Sequence, residues 1–173
     1  MAASVIRALA VTVSNRAAAG VYGDTSGPVL AELLRAAGCT VDGPVVIPDG
    51  AAVQAALQDA IAAGYDVVVT TGGTGLTQRD QTPEMTRLVL DREIPGIQEA
   101  IRAAGVAAGV PTAVLSRGVA GLASSTLIVN LPGSTGGVRD GMSVLAELLA
   151  HAVDQVGGGD HPRSAVDGTG PPT

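Results

Sequence analysis

A glycine-dense loop between a buried strand and the start of a helix is the part of this sequence best suited to chemistry. The apolar, β-branched run that ends at Thr71 is typical of a buried strand, and the next four residues are Gly72, Gly73, Thr74 and Gly75. Glycines let backbone N–H groups approach a ligand without a Cβ in the way. Thr82 is expected to cap the next helix and Pro83 to be its first residue, so free N–H groups would point toward the same loop. The pattern predicts a phosphate-binding site.

Two aspartates, Asp49 and Asp80, could hold a metal ion beside this loop. If both lie at the carboxyl edge of a sheet, they could bind Mg²⁺ while phosphates fill its other positions. Phosphoryl or nucleotidyl transfer suits such a site, because it needs an oriented, charge-neutralised phosphate more than a strong base. Purely structural roles stay open for both aspartates. Pro48-Asp49-Gly50 is typical of a turn, which on local sequence favours a turn role for Asp49, and Asp80 could equally cap the helix that follows it.

Other loops after predicted strands are also polar. Ser14–Arg16 and Gly20–Gly27 follow the first strand, and Asn130–Ser134 follows the last one. The segment Pro132-Gly133-Ser134 is either a second anion site or an ordinary turn before a helix. Arginines that could neutralise phosphate in or beside these loops are Arg79, Arg117 and Arg139. Because parallel strands bind ligands at their carboxyl ends, we expect these loops to converge.

Apolar patterning predicts an alternation of strands and helices. The predicted strands are Val5–Val13, Thr40–Ile47, Asp66–Thr71, Ala113–Leu115 and Thr126–Leu131. The predicted helices are Pro28–Ala37, Ala51–Ala63, Thr82–Leu90, Gly96–Ala108 and Val138–Val156. This order predicts an α/β fold, a three-layer α/β/α sandwich with a mainly parallel, Rossmann-like sheet. We expect a single domain over residues 1–156 and a flexible Gly/Pro-rich tail over residues 157–173.

Composition restricts the class of function. The formal net charge is −6 and the only aromatic residues are two tyrosines, whereas nucleic-acid binders use basic surfaces and stacking side chains. The sequence contains no lysine, which excludes a Walker A loop and a lysine Schiff base. Small-molecule chemistry is favoured, with positive charge supplied by arginine, backbone amides or a metal.

The sequence also indicates a cytoplasmic protein without a membrane partner. Cys39 is the only cysteine, as suits a reducing compartment. The segment Met1–Ser14 alternates like a strand and carries Arg7, so we expect no signal peptide. The longest uncharged run, Gly118–Val138, is interrupted by glycines and Pro132, so we expect no membrane helix.

Seven ordered motifs resemble those of the molybdopterin-binding adenylyltransferase family of molybdenum-cofactor biosynthesis. This is the Mog/MoaB group, which is related to the N-terminal domain of gephyrin. The motifs are Ser14–Arg16 with Gly20–Asp24, Ile47–Asp49, Thr70–Gly75, Arg79-Asp80 with Thr82–Glu84, Ile94–Gly96, Leu115–Arg117 and Asn130–Ser134. The resemblance covers the chain from about Val5 to Val156, and seven motifs in order are a specific signal.

The resemblance implies transfer of AMP from ATP to the terminal phosphate of molybdopterin, with release of pyrophosphate and a requirement for Mg²⁺. Asp49 and Asp80 match the two central aspartates of the family, which makes them the expected catalytic and Mg²⁺-binding residues. The residues expected to bind substrate or phosphate are Thr71, Gly72, Gly73, Thr74, Gly75, Ser116, Arg117, Asn130, Pro132, Gly133 and Ser134. The resemblance also implies a homotrimer, and the molybdenum insertase of the pathway is an expected partner.

Two other functions stay open on the same residues. The chain could be a non-catalytic carrier or assembly protein that binds molybdopterin or its adenylylated form, or a hydrolase of nucleotide derivatives on the same fold. The intact pair Asp49 and Asp80 favours catalysis over the carrier. The lack of a fused partner domain argues against the hydrolase, and 173 residues leave no room for the extra domains of an insertase.

Overall fold

A computed structural model describes residues 5–158 and places one six-stranded sheet between two layers of helices. The strands are β1 Ile6–Val13, β2 Cys39–Ile47, β3 Val67–Thr71, β4 Arg92–Glu93, β5 Ala120–Ala123 and β6 Thr126–Leu131. The helices are α1 Asn15–Ala18, α2 Ser26–Ala36, α3 Ala51–Ala62, α4 Thr82–Arg87, α5 Pro95–Ala107 and α6 Thr135–Val156, and a 3-10 helix covers Pro111–Leu115. The predicted three-layer α/β/α sandwich is confirmed.

The strand order is β2-β1-β3-β6-β5-β4. The strands β2, β1, β3 and β6 are parallel neighbours, while β5 runs antiparallel to β6 and β4 antiparallel to β5. Thr12 of β1 pairs with Thr71 of β3, which pairs with Leu131 of β6. The loops that follow these three central strands therefore leave the sheet side by side at one edge.

Alternation along the central strands gives the sheet two apolar faces. In β3, Val67 and Val69 pack toward α2, α5 and α6, whereas Val68 packs toward α3 and α4. All five residues of β3 are buried, as expected of a central parallel strand with helices on both faces. These two packed faces fix the sheet edge from which the loops emerge.

One predicted strand is wrong. Ala113–Leu115 lies in the 3-10 helix, and the strand of this region is β5, at Ala120–Ala123. The sequence of β5, Ala-Gly-Leu-Ala, is poor in the β-branched and aromatic residues that signal a strand. It is a strand because it pairs with β6 across the Ser124-Ser125 turn, and β4 and α1 were likewise missed because they are only two and four residues long.

Two helices begin more than one residue earlier than the apolar pattern indicated. The helix α2 starts at Ser26, and α6 starts at Thr135 with Ser134 as its N-cap. The opening Thr135-Gly136-Gly137 of α6 carries no apolar period, so the sequence pattern became visible only at Val138. Apart from residues 157 and 158, the predicted tail lies outside the described residues. Between residues 5 and 158, no helix is long and apolar enough to cross a membrane.

Candidate active site

Two adjoining cavities open at the sheet edge where the loops after β1, β3 and β6 emerge. The larger has a volume of about 580 Å³, and its wall includes Thr74, Gly75, Arg102, Ser116, Ser134 and Asp140. The smaller has a volume of about 320 Å³, and its wall includes Ser14, Arg16, Asp24, Asp49, Thr71 and Gly72. Gly73, Asp80 and Gly133 line both cavities. The predicted convergence of loops thus yields a site with two compartments that share one wall.

Gly72 and Gly73 are glycines because the backbone leaves no room for a side chain. Both have positive φ, +105° for Gly72 and +68° for Gly73. A Cβ at Gly72 would overlap the carbonyl oxygen of Val13, with the Val13 carbonyl carbon only 3.2 Å away. A Cβ at Gly73 would overlap Thr82 Oγ1 and Asp49 Oδ2. The loop is therefore pressed against the end of β1 on one side and against Asp49 on the other.

The amides of this loop divide into two groups. The Gly72 N–H donates to the Leu131 carbonyl over 3.0 Å, so it extends the sheet and is not free for a ligand. The amides of Gly73, Thr74 and Gly75 donate no hydrogen bond to any described residue. These three N–H groups are the part of the predicted phosphate cradle that is available in the structure.

Asp49 joins the loop after β2 to the start of α4. Its Oδ1 accepts from the Gly50 N–H at 2.7 Å and from Thr82 Oγ1 at 3.1 Å, and its Oδ2 accepts from the Gln81 N–H at 3.0 Å. Thr82 is thus the first residue of α4, not its N-cap as predicted, because its hydroxyl turns to Asp49. Asp49 has the turn role that local sequence favoured, yet it also lines the smaller cavity.

Asp80 is the more open of the two carboxylates. Its Oδ2 accepts from the Thr77 N–H at 3.0 Å and from Thr77 Oγ1 at 2.7 Å. Its Oδ1 accepts no hydrogen bond within the described residues. Asp80 lines both cavities and has one carboxylate oxygen without a partner in the described residues.

The donor set fits a Mg²⁺ ion that shares its coordination with phosphate. Asp49 and Asp80 line the same smaller cavity, and Asp80 keeps one oxygen open. No group of three or more His, Cys, Asp or Glu within residues 5–158 is placed to hold a metal by itself. Magnesium sites in phosphoryl-transfer enzymes commonly use one or two carboxylates, with substrate phosphates and waters completing the shell. The pair is compatible with that mode of binding.

Five cavity residues with a charged side chain were not among the predicted catalytic, metal or substrate-binding residues: Arg16, Asp24, Arg79, Arg102 and Asp140. Asp24 lines the smaller cavity, where it accepts from Thr12 Oγ1 at 2.7 Å and from the Gly27 N–H at 2.9 Å. Arg102 of α5 and Asp140 of α6 line the larger cavity. Asp24 belonged to a loop that the sequence marked as unusual, whereas Arg102 and Asp140 lie inside helical patterns that carry no local signal of a site.

Of the predicted binding residues after β6, Ser134 lies at a cavity and Asn130 does not. Ser134 lines the larger cavity, and its Oγ accepts from the Gly137 N–H at 3.0 Å as the cap of α6. Asn130 is 0% exposed and lies outside both cavities. Its Nδ2 donates to Thr70 Oγ1 and Thr86 Oγ1, and its Oδ1 accepts from the Val119 N–H. Asn130 therefore binds neighbouring elements together instead of facing a ligand.

Replacing Asn130 by leucine is expected to destabilise the fold by about 3 kcal/mol, because buried donors and acceptors would lose their partner. Urea unfolding followed by circular dichroism measures this. Gln58→Leu on the exposed side of α3 is the matched control and should change the free energy of unfolding by less than about 0.5 kcal/mol. Equal stability of the two variants would contradict the network role of Asn130.

Arg117 lies under the loop that carries Asp80. Its Nε donates to the Gly75 carbonyl at 2.7 Å, its Nη2 donates to the Asp80 carbonyl at 2.6 Å, and its Nη1 pairs with Glu84. It lines neither of the two cavities. The guanidinium beside Glu84 lowers the pKa of that carboxyl below its ordinary value. The structure thus gives Arg117 contacts with protein where the sequence predicted phosphate.

The pair of Glu84 and Arg117 predicts a pH-dependent contribution to stability. A carboxyl whose pKa is lowered in the folded state stabilises it above the unfolded pKa, here 4.5, and that stabilisation is lost as pH falls through the lower folded pKa. The difference in thermal midpoint between wild type and Glu84→Gln should therefore be constant near neutral pH and shrink below pH 4.5. Because the Glu84 side chain is 46% exposed, the effect should not exceed about 1 kcal/mol. A difference that grows on acidification would contradict this.

Comparison with known proteins places these features in a family. The family described as "Probable molybdopterin binding domain" matches residues 9–151. A molybdenum cofactor biosynthesis bifunctional protein of Synechococcus elongatus is 39% identical over 155 residues, which cover 89% of this chain and 48% of that protein. The molybdopterin adenylyltransferase of Pyrococcus furiosus is 37% identical over 145 residues, which cover 82% of this chain and 85% of that protein. The chain spans about half the length of the bifunctional relatives it matches.

A solved structure agrees with the sequence comparison. The molybdopterin biosynthesis Mog protein from Mycobacterium ulcerans is 49% identical, and it superimposes with a TM-score of 0.84 over 90% of this chain and 99% of that one. The fold, the ordered loop motifs and the family match all lead to one assignment. This chain belongs to the molybdopterin-binding Mog/MoaB family of molybdenum-cofactor biosynthesis, as its sequence motifs predicted.

Proposed function

We propose that this chain transfers AMP from ATP to the terminal phosphate of molybdopterin, giving adenylyl-molybdopterin and pyrophosphate. The observation that carries the proposal is the meeting of two cavities at Asp80, Gly73 and Gly133. Two substrates in adjoining cavities can bring their phosphate groups beside one carboxylate and one glycine loop. The relative from Pyrococcus furiosus, named molybdopterin adenylyltransferase, supports this reading at 37% identity.

The reaction needs orientation and charge neutralisation. A phosphate oxygen of molybdopterin attacks the α-phosphorus of ATP, and the bond from that phosphorus to the pyrophosphate oxygen breaks. The open amides of Gly73, Thr74 and Gly75 bind phosphate oxygens and hold the two groups in line. The carboxylates of Asp49 and Asp80 would hold Mg²⁺, which when bound neutralises charge on the phosphates.

The test is an assay of pyrophosphate release from ATP and Mg²⁺, with and without molybdopterin, combined with mass spectrometry of the pterin product. Release that requires molybdopterin, together with adenylyl-molybdopterin, is the expected result. Bound molybdopterin without any release would make the chain a carrier. AMP release that does not need molybdopterin would instead indicate a hydrolase of nucleotide derivatives.

We also propose that the chain forms a homotrimer, as the family resemblance implied. Exposed apolar side chains support an association, among them Val21, Val45 and Val46, which are 64%, 43% and 37% exposed. Light scattering after size-exclusion chromatography should give three times the chain mass of 17.0 kDa. The bifunctional relatives support a link to another step of the pathway, such as the molybdenum insertase.

A further inference from the structure

The segment Ser116-Arg117 crosses beneath the loop between β3 and α4 and is bonded to it along its length. The Arg117 N–H donates to the Thr74 carbonyl at 3.0 Å, and Ser116 Oγ donates to Thr74 Oγ1 at 3.3 Å. Arg102 of α5 donates to the Ser116 carbonyl at 3.3 Å and anchors the segment from behind. The loop residues on one side of the site are thus supported by a segment more than forty residues later in the chain.

The Arg117 side chain extends this support to both ends of the loop. Its Nε and Nη2 donate to the carbonyls of Gly75 and Asp80, which lie five positions apart, and Nη1 reaches Glu84 in α4. A planar guanidinium presents donors in a fixed fork, so three acceptors in different directions can be held at once. Two backbone carbonyls and a carboxylate thus occupy one donor on each of the three guanidinium nitrogens of Arg117.

We propose that Arg117 is a positioning residue, which fixes the Gly75–Asp80 loop and thereby sets where the open oxygen of Asp80 stands. The expected effect on kcat rests on the proposed adenylyl transfer, whereas the expected effect on the order of the loop does not. Asp80 is held twice within this loop: its carboxylate by Thr77, and its carbonyl by Arg117. Loss of the contact between Arg117 and the Asp80 carbonyl lets the loop move even if Thr77 still binds the Asp80 carboxylate.

Arg117→Lys tests the proposal, because lysine keeps the positive charge but cannot bond three divergent acceptors at once. Arg87→Lys is the matched control. Arg87 makes the same kind of exposed ion pair, with Glu93 at 3.0 Å, at the end of the same helix α4. Hydrogen exchange of the peptide containing Thr77 and Asp80 measures loop order directly, and steady-state kinetics with ATP and molybdopterin measures its consequence.

In Arg117→Lys, exchange of the Thr77 and Asp80 amides should rise severalfold, while Arg87→Lys should match wild type. The kcat should fall by about 10- to 100-fold, as expected when a reacting group is displaced by an ångström or so. The KM for ATP should stay within about twofold, since no ground-state contact is lost.

The opposite pattern would overturn the proposal. Unchanged exchange, with a raised KM for ATP and an unchanged kcat, would mean that Arg117 binds phosphate directly. If Arg117→Lys does not fold, Glu84→Gln provides a second variant, since it removes the negative charge from one of the three acceptors and should raise exchange in the same peptide to a smaller degree. If wild type makes no adenylyl-molybdopterin, the proposed function fails, whereas the exchange data still decide whether Arg117 orders the loop.

Discussion

Replacement of Asp80 by asparagine is expected to lower the rate of adenylyl transfer by about 10²- to 10³-fold, the range found when one preorganised electrostatic group is removed from an active site. Asparagine can keep the acceptor that Thr77 uses, because that contact involves only Oδ2. The variant therefore removes the negative charge beside both cavities and leaves the loop in place. Pyrophosphate release under saturating ATP and molybdopterin measures the rate, and fluorescence or calorimetry measures molybdopterin binding.

Asp91→Asn is the matched control for this variant. Asp91 accepts from the Ser124 N–H at 2.6 Å in a turn away from the cavities, so the same substitution tests a loop role alone. We expect its rate to equal that of wild type. If Asp80→Asn kept its rate, or lost molybdopterin binding and rate in parallel, Asp80 would not be the carboxylate that acts on the reacting phosphates.

Replacement of Gly72 by alanine is expected to destabilise the protein by about 4 kcal/mol, combining a strained positive φ with overlap of backbone atoms. Gly72 has φ +105°, and the atom in the way is the carbonyl oxygen of Val13, which belongs to the central strand β1 and cannot rotate aside. The displaced backbone would also move the open amides of Gly73 and Thr74. Chemical unfolding gives the free-energy change, and the pyrophosphate assay should show that activity is lost as well.

Gly96→Ala supplies the comparison for Gly72→Ala. Gly96 lies in the first turn of α5, its φ is not positive, and no atom lies within 4 Å of the added Cβ. Alanine there should change the free energy of unfolding by less than about 1 kcal/mol, since helix propensity alone is at stake. A Gly72→Ala protein as stable as Gly96→Ala would mean that the loop can shift without cost.

Features with a local signal in the sequence were predicted well. The glycine density of Gly72–Gly75 and the buried run of β3 each have a cause within a few residues, so the loop and its strand could be read directly. The strand β5 could not be found in this way, because Ala-Gly-Leu-Ala becomes a strand only through its pairing with β6. The conformation of β5 is set by its pairing with β6, and the local sequence of β5 does not indicate that pairing.

The same distinction explains the site residues. Asp80 could be singled out because it stands between a glycine loop and a helix start, and it lies at the wall shared by both cavities. Asn130 and Arg117 have residue types that suit phosphate, but most of their partners lie far away in the sequence, among them Thr70, Thr86 and Glu84. Only the folded chain shows that the side chains of Asn130 and Arg117 are hydrogen-bonded to these protein groups.

The hydrogen bonds that Gln81 and Thr82 donate to Asp49 also limit how readily this site could be transferred to another protein. The glycine loop contains every amide of the proposed phosphate cradle within a short stretch, so it could be taken for a self-sufficient anion-binding module. Yet the positive φ of Gly72 and Gly73 coexists with contacts to Val13, Asp49 and Arg117, which come from three other parts of the chain. A peptide that copies residues 67–84, or a graft of that stretch onto another sheet, would keep the sequence of the motif but would not adopt its conformation. Engineering the site elsewhere requires moving all three supporting segments with it.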